Sequence, residues 1–358
     1  MKINLLGLTR LELEELAVSL GGKSYNGLQI FKWIHKFGLD NFSLMTNISK
    51  SFRENLEQNC VIEAPKIISK YVSQDGTTKW LIEVSGGSII ETVFIPSPKR
   101  STLCISSQAG CTMNCSFCQT AKQGFSKNLS SAEIIGQLWL VNKQLELPIT
   151  NVVMMGMGEP LCNFIPVKQS VNIMRDEMGY ALPRKRVTVS TSGVVPEIYS
   201  LAKETDVTLA VSLHAPNDDL RNILVPINKK YPIAILLKAC QDFISLSKSS
   251  KVTIEYVMLK NVNDSVLQAK CLSKILQQLP CKINLIPFNP FFGTEYSCSS
   301  METIKNFSQI LIKAGFVVTI RLTRGRDIDA ACGQLAGKVN DITKRKKRHL
   351  DNLEKKYG

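Results

Sequence analysis

Three cysteines, Cys111, Cys115 and Cys118, share the stretch Cys111-Thr-Met-Asn-Cys115-Ser-Phe-Cys118. The chain has 11 cysteines in 358 residues, and simple counting gives a 3-then-2 spacing by chance about 1% of the time. Thiolates are soft ligands that suit zinc or an iron–sulfur cluster. Structural zinc takes four ligands in paired spacings, and no second pair follows here. A four-iron cluster held by three thiolates leaves one iron open to a small molecule. The spacing therefore favours a catalytic cluster over a structural zinc.

A second chemical candidate is Glu91. It shares one face of a period-two strand with Ile89, Val93 and Ile95. Burial in that apolar company would raise its pKa toward that of a general base; exposure at a sheet edge would leave it an ordinary carboxylate. Further polar groups stand at the ends of strand-like runs: Gly158 and Glu159 in Gly156-Met-Gly-Glu-Pro160, Ser190, the Ser212-Leu213-His214 segment, and Asn289. Each alone has a dull reading as a turn or a strand end. Met154, Met155 and Met157 read as packing.

The elements that must position these groups are legible from pattern. Strand-like runs at Thr102–Ser106, Asn151–Met155, Arg186–Thr191, Val207–Leu213, Val252–Met258, Lys282–Pro287 and Val317–Arg321 alternate with helical stretches such as Ser131–Leu145, Pro232–Leu246 and Ser265–Leu279. Such alternation gives α/β architecture with a parallel sheet. Six strand–helix units plus a final strand fit an open partial barrel. Every polar group of the preceding paragraph except Glu91, and the cysteine loop with them, then falls on its carboxyl rim, where such folds build their sites.

Before this core, residues 1–62 read as a small helical domain. Thr9 and Glu12 form a capping box, Gly21-Gly22 closes the first helix, a second helix runs to Gly38, and a third starts near Ser51. Packing module and RNA contact are both open for it. Residues 63–97 read as a β-ribbon linker. In it Ile67–Gln74 and Thr77–Val84 flank the hairpin signal Asp75-Gly76, and Ser88–Pro96 follows. The core spans 98–337, and 338–358 is a basic tail with Lys344–Arg348 as its block. That block is either a solvated helix face or a nucleic-acid contact.

The net charge of +14 favours a polyanionic partner. No run of 18 apolar residues predicts a membrane span. No leader pattern stands at the start, and close cysteines then read as metal or redox groups of a reducing cytoplasm.

The cysteine stretch resembles the signature of the radical S-adenosylmethionine superfamily. Three further stretches narrow the resemblance: Cys104-Ile-Ser-Ser-Gln, Cys115-Ser-Phe-Cys-Gln-Thr-Ala-Lys-Gln-Gly-Phe-Ser-Lys-Asn-Leu, and Arg324-Gly-Arg-Asp-Ile-Asp-Ala-Ala-Cys332-Gly-Gln-Leu. Together they are similar to the dual-specificity RNA methyltransferases that act on C2 of adenosine in 23S rRNA and tRNA. The resemblance covers nearly the whole chain and departs at Arg326, where an acidic or small residue is expected.

The resemblance implies the following roles. Cys111, Cys115 and Cys118 ligate a [4Fe–4S] cluster. Gly158 and Glu159 hold the amino end of S-adenosylmethionine, and Ser190, Ser212, Leu213, His214 and Asn289 complete its site. Cys332 carries the methyl group, Cys104 resolves it through a disulfide, and Glu91 accepts the C2 proton. The electron donor implied is a flavoprotein. C2 of adenine is electron-poor and cannot attack a sulfonium methyl, so a radical route and a sulfur carrier answer a real chemical obstacle. Cys60, Cys162, Cys240, Cys271, Cys281 and Cys298 remain as small core or surface residues. Two alternatives stand: a sister class methylating C8 of the same rRNA adenosine, and a non-catalytic Fe–S or zinc RNA-binding protein.

Overall fold

The computed structural model describes residues 2–98, 100–337 and 339–357. Lys338, the first residue of the basic tail, lies outside them. Twelve α-helices and fourteen strands follow one another along the described chain.

The amino-terminal module packs α1 (Arg10–Ser19), α2 (Ser24–Phe31) and α3 (Lys50–Asn59) around buried Leu13, Ile30, Phe31 and Leu56. The capping box expected at Thr9 is formed in both directions, an arrangement that stabilises a helix start by about 1 kcal/mol. The second helix continues past Phe31 as a π-helical turn, Lys32–Lys36. The third starts at Lys50, with Ser49 rather than Ser51 at its cap. Period analysis missed one feature: β1 (Ile3–Asn4) and β2 (Cys60–Val61) pair in parallel and tie the two ends of the module together.

The three strands expected as a separate ribbon are β3 (Lys66–Val72), β4 (Thr78–Glu83) and β5 (Ile89–Ile95). They do not stand apart. β5 pairs antiparallel with β6 (Thr102–Cys104), so the ribbon is one wing of a ten-stranded sheet. The reason is register. Val93 lies opposite Cys104, so the apolar face of β5 continues the inner face of the core.

Beyond β6 come β7 (Gln108–Gly110), α4 (Gln119–Lys122), β8 (Phe125–Asn128) and α5 (Ser131–Asn142). β7 and β8 pair with each other as a short hairpin outside the main sheet. The core then alternates β9 (Asn151–Met154), α6 (Phe164–Arg175), β10 (Val187–Thr191), α7 (Val195–Glu204), β11 (Thr208–Ser212), α8 (Asp218–Leu224) and α9 (Ile233–Leu246). It ends with β12 (Val252–Met258), α10 (Val266–Leu276), β13 (Cys281–Pro287), α11 (Met301–Lys313) and β14 (Val317–Ile320). From β6 to β14 the seven strands of the sheet are parallel and follow chain order. The result is an open parallel sheet curved into a partial barrel, its helices on the outside. Strand boundaries fall within about two residues of the expected runs, as pattern reading allows.

Residues 322–337 and 339–343 form no strand or α-helix, only a 3-10 turn at Arg326–Ile328. Arg326 is exposed on that turn. This strap crosses the open side of the barrel and carries Cys332. The tail ends in α12 (Arg345–Tyr357).

Candidate active site

The cysteine loop hangs between β7 and α4. The hairpin holds its base: the Cys111 amide donates to the Gly124 carbonyl at 2.8 Å. Its crest is pinned from the far side of the barrel, where the Ser116 amide donates to the Leu224 carbonyl and Ser116 Oγ meets the Tyr296 hydroxyl at 2.8 Å. From the tail, the Arg345 guanidinium donates to the carbonyls of Cys111 and Met113.

Among the described residues no three His, Cys, Asp or Glu side chains converge on a single ion. The three thiols instead line one wall of a cavity of about 160 Å3. Burial and the neighbouring thiols push Cys111 well above the usual thiol range and Cys115 up to about 12, and burial also raises Cys118. Three crowded sulfurs cannot all ionise unaided; a cationic cluster replaces their protons and removes the conflict. The donor set therefore fits a cluster.

The opposite wall of that cavity comes from strand ends. Gly158 lies at φ +99°, and a Cβ there would stand 2.5 Å from Gln108 Cβ, so only glycine fits. Glu159 is buried and bridges two strand ends. Its carboxylate accepts from the Ser192 amide and hydroxyl, both at 2.7 Å, and from the Leu161 amide. Burial raises its pKa against the pull of those donors.

Ser190, Ser212 and His214 line the same cavity. His214 holds φ +62°, rare for a non-glycine residue. Its Nδ1 accepts from the Val257 amide at 3.0 Å, and Phe117 packs edge-on at 4.8 Å. Burial pushes its pKa down to about 3, with Arg221 adding to the fall. It is therefore a neutral imidazole, and Nδ1 as acceptor leaves Nε2 as the N–H donor.

Cys332 lies where two cavities meet. It lines the cavity just described and also a larger one of about 970 Å3 that runs through the barrel lumen and includes Cys104. Burial pushes the Cys104 thiol up to about 12, and Arg321 pulls it back. The surrounding protein also raises the Cys332 thiol, and Arg321 opposes this too. All eleven cysteines are free thiols. The Cys104–Cys332 disulfide implied by the resemblance is thus no part of the resting fold.

Two expected site residues stand differently. Leu213 is fully buried in the core and lines neither cavity; its carbonyl accepts from Arg221 Nε at 3.0 Å. Glu91 is buried at 3% exposure and lines neither cavity. It shares the inner sheet face with Val93 and hence with Cys104, but lies beneath the strap. Its Oε1 stands 3.4 Å from Lys79 Nζ, and its Oε2 has no hydrogen-bond partner among the described residues. Burial raises its pKa, and Lys79 counters. Asn289 lines the larger cavity: its Nδ2 donates to the Cys332 carbonyl at 3.3 Å, and its buried Oδ1 has no partner among the described residues.

Three residues escaped the sequence reading. Gln108 is fully buried, and its Oε1 accepts from the Glu159 amide at 2.9 Å and the Thr112 amide at 3.2 Å, joining the cysteine loop to the Gly158 turn. Arg221, also fully buried, donates to the carbonyls of Ser192, Ser212 and Leu213, gathering two strand ends. Arg321 lines both cavities beside Cys332. Gln108 was visible in the Ser-Ser-Gln that follows Cys104; no local signal marks the two arginines.

The chain is similar to known proteins in sequence and in fold. Residues 3–62 match the family model of the ribosomal RNA large subunit methyltransferase N-terminal domain, and residues 105–269 that of the radical SAM superfamily. Dual-specificity RNA methyltransferase RlmN of Pseudomonas putida (strain W619) is 54% identical over 357 residues, covering 98% of this chain and 94% of its own. RlmN of Pseudomonas fluorescens (strain SBW25) is 52% identical over 358 residues. A solved radical SAM methyltransferase from Sphaerobacter thermophilus superposes with a TM-score of 0.87 at 41% identity, over 93% of this chain and 99% of that one.

Proposed function

The chain belongs to the dual-specificity RNA methyltransferase RlmN family, and from that premise we propose that it methylates C2 of adenosine in 23S rRNA and tRNA by way of Cys332. It is a radical SAM enzyme that uses a [4Fe–4S] cluster and S-adenosylmethionine. Cys111, Cys115 and Cys118 would hold the cluster; Gly158, Glu159, Ser190, Ser212 and His214 would line the cosubstrate's seat. When bound, these groups supply first a methyl group and then a one-electron removal of hydrogen from it.

The single observation that carries the reading is Cys332 at the junction of the two cavities. One cavity contains the three ligand cysteines; the other contains Cys104 and has room for a nucleotide. As a thiolate, Cys332 displaces the methyl group from sulfonium and becomes a thioether. Once its methyl carbon is bonded to C2, the adduct must lose both the C2 proton and one electron; the electron would pass back to the one-electron carrier that began the reaction, and Glu91 is the buried base for the proton, on the sheet face shared with Cys104. Reaching the base requires the strap above Glu91 to shift. Cys104 then attacks the Cys332 sulfur: the S–S bond forms, the S–C bond breaks, and the methylated base is released with a proton. A thiol reductant returns the pair to the free state. The site roles of Leu213 and Asn289 are indirect on this reading, through Arg221 and the strap.

The amino-terminal module, matched to the RlmN-type domain, would help hold the RNA. A small flavoprotein would supply electrons. Among the described residues no helix is long and apolar enough to cross a membrane, which agrees with work on RNA in the cytoplasm.

The test is anaerobic reconstitution with iron and sulfide, incubation with rRNA and tRNA fragments, and mass spectrometry of the digested nucleosides. 2-Methyladenosine with one 5′-deoxyadenosine per turnover is expected. 8-Methyladenosine would assign the sister chemistry, against which the Gln119-Thr-Ala-Lys-Gln-Gly-Phe stretch already speaks.

A further inference from the structure

Barrels of this kind ordinarily fill their interior with branched apolar side chains. Here the amino-terminal half of the lumen is hollow and polar. It forms most of the 970 Å3 cavity, where hydroxyls such as Thr208 and Thr253 take the inward positions. Four cations, Arg100, Lys185, Lys251 and Lys282, stand around its amino-terminal mouth. Among the described residues none of the four has an ion-pair partner within 4 Å. Their neighbours Arg184 and Arg186 are committed, to Asp206 and to Asn151. Glu255 is the one acidic side chain among the described lining residues, and it lies deeper, accepting from Asn284 at 2.9 Å.

We propose that this mouth is the port through which an unstacked RNA nucleotide reaches Cys332, its flanking phosphates lying across Arg100, Lys185, Lys251 and Lys282. The proposal rests on the methyltransferase reading above and names the route that reading leaves open.

Two features support it. The cations crowd one another: burial pulls the Lys282 ammonium below its usual range, Glu255 opposes, and the charges of Arg100 and Lys251 add to the fall. Like charges held together without counterions are relieved by an anion. The reach also suits a nucleotide. Lys282 and Asn284 are two residues apart on β13, about 7 Å along the strand, and Asn284 holds Glu255, which lines both cavities beside Cys332. A base extended inward from phosphates at the mouth therefore arrives at the sulfurs, as enzymes acting on extruded bases require. The cosubstrate's cavity, at about 160 Å3, has no such spare room once filled.

The test compares salt-dependent binding of a fluorescent RNA hairpin with an unpaired loop adenosine. The proteins are the full-length wild type, Lys251→Ala/Lys282→Ala, Lys185→Ala, and a variant with the five cations of the Lys344–Arg348 block changed to alanine. The double variant is expected to bind at least about tenfold more weakly, with its log–log salt slope reduced by about 1 to 2. A Lys251→Arg/Lys282→Arg variant, which keeps both charges, should keep the wild-type slope. Wild-type affinity and slope in the double variant, with loss confined to the tail variant, would overturn the port and leave the methyltransferase reading intact. Failure of the wild type to bind the hairpin at all would overturn both.

Discussion

The cysteine loop and the strap both bring sulfur to the same cavity, yet they are built differently. The loop places three thiols within eight residues, its base fixed locally by the bond from Cys111 to Gly124 and the rest held by Leu224, Tyr296 and Arg345. The strap places one thiol on irregular chain and fixes it from far away. At its start, Ser73 Oγ and the Gln74 amide donate to Asp327, and Asp75 accepts from the Gly325 amide, partners some 250 positions distant. At its middle, Lys79 Nζ donates to the Asp329 carbonyl, Thr120 to that of Leu335, and Asn289 to that of Cys332. At Gly337 a Cβ would stand 1.9 Å from the Ile89 carbonyl, so strap and sheet touch there backbone to backbone. On the roles proposed above, a cluster loop wants rigidity, whereas Cys332, meeting a methyl donor, a nucleobase and Cys104 in turn, would want a tether that can be released. The difference in construction would suit that difference in duty.

The sharpest way to break the comparison is at the loop. Replacing Cys111, Cys115 or Cys118 with alanine should abolish iron retention and all turnover, read by iron and sulfide analysis after anaerobic reconstitution. A variant with full iron would remove the cluster from the loop.

The strap should fail differently. Asp327→Ala takes away two hydrogen bonds that hold the start of the strap. Methyl transfer to Cys332 should fall while iron content stays at the wild-type level. Loss of iron in step with activity would mean that loop and strap are one unit after all. Asp75 belongs to the same latch. Burial pushes its carboxyl up, but bonds from Thr77 and Gly325 outweigh this and hold it at about 2. A depressed carboxylate lends its stability above the unfolded pKa and loses it as pH falls through the folded one. The contribution of Asp75 to the latch is therefore fully present through the neutral range and is lost only in strong acid.

A smaller effect is expected at Glu91, which touches the strap from below. Glu91→Gln should leave methylation of Cys332 intact and slow release of methylated RNA several-fold, seen as a burst of methyl-cysteine followed by slow turnover. Unchanged turnover would retire Glu91 as the base.

Much of this contrast was legible beforehand, but unevenly. Strand–helix alternation is a local periodic signal, and it placed the seven parallel strands closely; Val252–Met258 was read to the residue. The Thr9 capping box is equally local. The cysteine triplet stood out because its spacing is a local signal, and the structure brings all three thiols to one cavity. The ribbon's merger with the main sheet was not readable, because pairing of β5 with β6 is set by tertiary register. The β7–β8 hairpin was missed because its strands are three and four residues long, too short for a period. Arg221 looks like one residue of an amphipathic helix until the fold turns it inward onto three carbonyls. The strap latch depends on Asp75 serving both as a hairpin-turn residue and as a distant acceptor, and only the first role has a local signature. The placement of Glu91 outside both cavities likewise depends on chain that arrives some 240 residues later.

The central claim is that Cys332 is covalently bonded to the RNA base during turnover and is freed by Cys104. Cys104→Ala, incubated anaerobically with S-adenosylmethionine, reductant and an RNA substrate, should accumulate a protein–RNA adduct that survives denaturing electrophoresis, with mass spectrometry of its peptides placing the base on Cys332 through a one-carbon link. Full turnover by that variant with no adduct, or an adduct mapped to any other residue, would contradict the account.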